Sequence, residues 1–127
     1  MADNLANALN AVKVSEGKGK HEITVPASKL IREVLTILQR EGYIGDFEFR
    51  EDAKSGTIRV SLVGKVNNCG VVAPRFAAKQ GEWEKWEQRY LPARNVGLLI
   101  ISTSTGLLTN VQARKQGVGG RLLAFVY

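Results

Sequence analysis

The sequence predicts an α+β fold in two small halves. The amino-terminal half reads α-β-α-β-β, and the carboxy-terminal half is mostly β with short helices. Three observations carry that expectation. The apolar period changes from 3.6 to 2 after Gly42, so helix gives way to strand within the first half. A polar, turn-rich stretch, KVNNCG (Lys65 to Gly70), then precedes a series of short apolar segments broken by glycine and proline. The charge balance changes as well: residues 1–52 hold seven basic and nine acidic side chains, residues 53–127 eleven and three. These place an amino-terminal α/β half at residues 1–66 and a carboxy-terminal, β-rich half at residues 67–127.

The elements follow in order. In NLANALNAV, Leu5, Leu9 and Val12 share one helical face, which predicts a short, weakly amphipathic first helix. SEGKGKHE is a loop by its glycines, and EITV is a short strand stopped by Pro26. SKLIREVLTILQREG is the clearest element. Leu30, Ile31, Val34, Leu35 and Leu38 repeat at helical spacing, Ser28 caps the start and Gly42 ends it. Phe47 and Phe49 then alternate with charge, and Ile58, Val60 and Leu62 alternate again beyond a turn containing Gly56, which predicts a hairpin.

In the second half, VVAPRF is expected as a short strand that Pro74 confines to an edge or an end. EWEKWEQRYLPA places Trp83, Trp86 and Tyr90 on one side of a short helix ended by Pro92. That side reads either as core or as a platform for base stacking or partner docking. VGLLII is too apolar for a half-exposed strand and is expected to be buried. After four hydroxyls in a row, Ser102 to Thr105, a T-x-x-Q capping box of Thr109 and Gln112 opens a helix that Gly117 terminates. RLLAFVY closes the chain as a buried strand.

Length and composition bound the chemistry. A fold of 127 residues hides roughly two-thirds of its unfolded surface and needs neither disulfide nor metal. The single cysteine, Cys69, excludes an intramolecular disulfide, and no signal peptide or membrane span is legible, so a soluble, intracellular protein with no membrane partner is expected. The net charge of +6 and the acid-free stretches from Ala53 to Gly81 and Gln88 to Tyr127 point to a face kept clear for a polyanion.

The hydroxyl cluster invites three chemical readings. A serine hydrolase needs a base held by a carboxylate, yet the only histidine is His21, no acid follows Glu87, and G-x-S-x-G is absent. GVGG at 117–120 is neither a Walker sequence nor G-x-G-x-x-G, and it precedes a strand, which argues against a nucleotide or other small-molecule substrate. One histidine and one cysteine supply no metal ligand set, so no metal and no cofactor is expected. Binding remains. Small hydroxyls and bare glycine backbone near Arg114, Lys115 and Arg121 suit the wide, shallow minor groove of A-form RNA, with Arg75, Lys79 and Arg94 as further cations for phosphate. A purely structural turn stands as the alternative for the cluster.

These motifs are familiar together. ISTSTGLLTNVQARKQGVGGRLLAFVY resembles the carboxy-terminal signature of the small-ribosomal-subunit protein eight family, and VPASKLIREVLTILQREGYI resembles its helix with a P-A-S-K entry. APRF and EKWEQRYLPA are similar to the archaeal and eukaryotic branch. The resemblance implies a non-enzymatic, cytoplasmic constituent of the small ribosomal subunit. It would bind small-subunit rRNA in a central-domain helical region and help organise it during assembly, beside neighbouring ribosomal proteins. It further implies RNA contacts by Ser102, Thr103, Ser104 and Gly106, by Gly117, Gly119 and Gly120, and by Lys29. Two features depart from bacterial members: Arg121 stands where an acid usually follows G-G, and Lys13, Lys18, Lys20 and His21 replace a more basic end to the first helix.

Overall fold

The computed structural model describes residues 4–51, 56–93 and 95–127. Its elements, in chain order, are α1 (Asn4–Gly17), β1 (Glu22–Pro26), α2 (Lys29–Arg40), β2 (Ile44–Arg50), β3 (Thr57–Leu62), β4 (Cys69–Val71), β5 (Ala77–Ala78), α3 (Trp83–Tyr90), β6 (Leu98–Thr103), β7 (Gly106–Thr109), α4 (Asn110–Gln116) and β8 (Gly120–Val126). The α+β class is therefore as the sequence predicts. The chain divides into two compact units, Met1–Cys69 and Gly70–Tyr127.

In the first unit the helices form where the apolar stripe is. Leu5, Ala8, Leu9 and Val12 are the buried face of α1; Ile31, Val34, Leu35, Ile37 and Leu38 are that of α2. The Ser28 hydroxyl accepts a hydrogen bond from the Ile31 amide at 3.1 Å, and α2 closes at Glu41 and left-handed Gly42, φ +83°. The sheet runs β1-β3-β2, antiparallel throughout, with Val60 between Ile23 and Phe47. Strict alternation buries Ile58, Val60 and Leu62 of β3, while Arg59 on the other face meets Glu48 at 2.8 Å.

Cys69 is buried and its thiol donates to the Leu9 carbonyl at 3.2 Å. Burial pushes the thiol pKa up to about 11. At pH 8 the native thiolate fraction is then on the order of 100-fold below that of an exposed cysteine. Ellman's reagent should accordingly label Cys69 only on unfolding; prompt labelling of the native chain would contradict the buried assignment.

The second unit is a five-stranded antiparallel sheet in the order β4-β8-β6-β7, with β5 also paired to β8. Its core is Val72, Ala78, Trp83, Trp86, Leu99, Ile101, Ala113 and Leu122. One expectation is corrected here, and one strand is added. VVAPRF is not one strand: β4 ends at Val71 and β5 begins at Ala77, because Pro74 has no amide to donate to a ladder. Between the hydroxyls and the capping box, where the sequence predicts no element, GLLT is the strand β7, with Leu107 and Leu108 both half-buried. Four residues are too few for a period to emerge from sequence.

Candidate nucleic-acid interface

The hydroxyl cluster is half strand and half turn. Ser102 and Thr103 end β6, Ser104 and Thr105 form the turn, and Gly106 opens β7 opposite Thr103. One hydroxyl holds the turn together. Thr103 Oγ1 donates to the Gly106 carbonyl at 2.8 Å, accepts the Thr105 amide at 3.2 Å and lies 3.1 Å from Thr105 Oγ1. Among the described residues no hydrogen bond engages the hydroxyls of Ser102 or Ser104, and Ser104 is exposed. Gly106, at φ +121°, takes a backbone conformation that a side chain would strain.

Register brings the second turn alongside. β6 and β8 are antiparallel neighbours with Ser102 opposite Arg121, so the end of β6 and the start of β8 share one end of the sheet. Arg121 also faces Ala77 of β5, and its guanidinium donates to the Arg75 carbonyl at 3.3 Å. Ser102, Arg121 and Arg75 are thereby adjacent, although 46 residues separate the two arginines.

The glycines of G-V-G-G each have a packing task. Gly117 is the left-handed cap of α4, φ +68°, with the Val118 amide donating to the Ala113 carbonyl at 3.1 Å. A methyl on Gly119 would stand 2.6 Å from the Ala78 carbonyl oxygen. One on Gly120 would fall on the Ser102 carbonyl oxygen and 2.7 Å from Ile101 Cγ2. Bare backbone is what lets β8 approach β5 and β6 this closely.

The helix α4 begins with the capping box as expected: the Gln112 amide donates to Thr109 Oγ1 at 3.2 Å, and the Thr109 amide to Gln112 Oε1 at 3.0 Å. Its first residue, Asn110, is the residue that sequence reasoning missed. It is buried, its Oδ1 accepts the Leu99 amide at 3.0 Å, and its Nδ2 donates to Glu87. The other oxygen of Glu87 accepts from Arg114 at 2.6 Å. No local pattern marks Asn110, since its partners lie 11 and 23 residues away.

The cations therefore differ in kind. Arg114 is half-exposed but already faces a carboxylate. Lys115, Arg121, Arg75 and Lys79 are exposed, and among the described residues none forms an ion pair. Lys79 borders Gly119, where its backbone amide is held by Glu82 at 2.7 Å. Lys29 is the exposed first residue of α2, in the amino-terminal unit. Arg94 lies outside the described residues.

Trp83 and Trp86 are buried, so they are core rather than a platform for bases. A concavity between α3 and α4, lined by Trp83, Glu84, Glu87, Asn110 and Arg114, carries two carboxylates and so has the wrong character for phosphate. Among the described residues no cluster of histidine, cysteine or carboxylates could hold a metal, and no helix is long and apolar enough to cross a membrane. What the described residues of the second unit present is one sheet end with hydroxyls outside any hydrogen bond, glycine backbone and cations outside any ion pair. A family model described as "Ribosomal protein S8" matches the chain over residues 3–127.

Proposed function

Because the chain belongs to the ribosomal protein S8 family, of small-subunit ribosomal proteins that bind rRNA, we propose a specific mode of binding for it. It binds a helical region of the central domain of small-subunit rRNA directly and helps organise that domain during assembly. It does so in the cytoplasm, as a non-enzymatic protein of the archaeal and eukaryotic type, in contact with neighbouring ribosomal proteins.

The observation that carries the residue assignment is the register of β6 with β8, which sets the hydroxyl turn beside Arg121. Ser102 and Ser104 offer free hydroxyls to the 2′-hydroxyls and base edges of a shallow minor groove, and Thr103 holds the turn in shape. Gly106, where a Cβ would meet nothing of the protein, lets the groove come close, while Gly117 caps α4 and Gly119 and Gly120 let the strands approach one another, and so present their backbone to the RNA. Arg121, Arg75, Lys79 and Lys115 neutralise phosphates; Arg114 adds less, with Glu87 already on it. Lys29 makes a separate contact from the amino-terminal unit.

Changing Ser102 and Ser104 together to alanine is expected to weaken binding to a central-domain rRNA hairpin about tenfold, at roughly 0.5–1.5 kcal/mol for each hydrogen bond. Thr103 is left in place so that the turn survives. Filter binding against a scrambled duplex supplies the control, which should be unaffected. Equal loss on both RNAs would mean the hydroxyls do not recognise anything.

A further inference from the structure

We propose that Arg89, which no motif of the sequence singles out, is a phosphate-binding residue of this interface, extending it from the sheet end onto α3; the inference rests on the RNA-binding reading above. The helix WEKWEQRY is divided lengthwise. Glu84, Glu87, Gln88 and Leu91 line the concavity toward α4. Trp86, Arg89 and Tyr90, at i, i+3 and i+4, share the opposite side.

The acids of this unit are accounted for on the first side or at the helix start. Glu87 is held by Asn110 and Arg114, and Glu82 accepts the Lys79 amide and lies 3.9 Å from Lys85. Arg89 is exposed, and among the described residues it has no carboxylate partner. Its guanidinium carbon instead sits 5.0 Å from the Phe76 ring centroid, 5.5 Å from Tyr90 and 5.6 Å from Trp86. Phe76 is itself stacked on Trp86, with centroids 5.0 Å apart and planes 25° from parallel.

That platform adjoins the sheet end. The Phe76 carbonyl accepts the Leu122 amide at 2.9 Å, and the preceding carbonyl, of Arg75, accepts from Arg121. A cationic strip therefore runs from Arg89 past Phe76 to Arg75, Arg121 and Ser102, with no acid on it among the described residues. A guanidinium held against aromatic rings keeps its N–H edge available for a bidentate phosphate contact and loses little freedom on making it. Arg114, nominated by sequence proximity, is paired; Arg89, remote from the turns in sequence, has no carboxylate partner among the described residues.

The test is the salt dependence of binding to a central-domain rRNA hairpin and to a scrambled duplex, with Arg89→Ala, Arg89→Met, Arg89→Lys and Arg114→Ala. Loss of the Arg89 charge is expected to weaken binding about fivefold near 0.15 M salt and to reduce the slope of log K against log salt by roughly 0.7–0.9. Arg89→Met keeps an aliphatic cover on Phe76 and Trp86, so a stable variant is at hand even if Arg89→Ala loses packing. Arg89→Lys should retain the slope, and Arg114→Ala should reduce it by less than Arg89→Ala does, because Glu87 already faces Arg114. A wild-type slope in both Arg89→Ala and Arg89→Met overturns the proposal and makes Arg89 a lid on the aromatic rings. Wild-type binding with no preference for the hairpin overturns the recognition reading alone, because the slope is read on either RNA; no binding to either overturns both.

Discussion

Replacing Trp83 with alanine is expected to lower the stability of the carboxy-terminal unit by about 3–5 kcal/mol, the range for removing a large buried ring and leaving a cavity. Trp83 is 2 % exposed and packs in one cluster with Val72, Ala78, Trp86, Leu99, Ile101, Ala113 and Leu122. It is also the first residue of α3, so its ring anchors the helix that carries both Glu87 and Arg89. Denaturant unfolding followed by far-UV circular dichroism and by the remaining tryptophan, Trp86, measures the loss. A loss below about 1 kcal/mol, accompanied by weaker RNA binding, would return Trp83 to the role of a stacking platform, since surface changes stay near ±0.5 kcal/mol.

Gly120→Ala is expected to cost about 2–3 kcal/mol by overpacking and to weaken hairpin binding as well. The added methyl meets main chain, the Ser102 carbonyl oxygen, which cannot rotate away as a side chain can. β8 must withdraw from β6, and the withdrawal moves Ser102 relative to Arg121. The Ser102 and Ser104 double variant separates the two effects, because it removes hydroxyls without touching the backbone contact. If Gly120→Ala unfolds at the wild-type denaturant concentration, β6 and β8 do not approach as described. If it is destabilised yet binds the hairpin normally, the register does not set the interface.

Much of the fold was legible because its signals are local. Ser28, Thr109 and Gln112 accept from amides, and the Gly117 amide donates to carbonyls, all within a few residues of themselves, and the caps stand where the sequence placed them. The stripes of α1 and α2 and the alternation of β3 reflect one buried face per element, which periodicity reports directly. The weak points were the shortest elements. Two- to four-residue strands such as β4, β5 and β7 owe their existence to a neighbour already in place rather than to their own composition.

The same division holds for the site. By itself the sequence determined the element order, the helix caps, the hydroxyl and glycine turns and the acid-poor second half. Each of these is a property of a residue or of a window of a few residues. Only the tertiary structure decided that β6 and β8 are neighbours, that Glu87 goes to Asn110 and Arg114, and that Arg121 meets Arg75. Those partners are 23, 27 and 46 residues apart. Which cation is neutralised and which is left free is set by strand pairing and helix packing. A charge is cancelled by whatever lies within a few ångströms of it, and sheet register, not sequence proximity, chooses that neighbour.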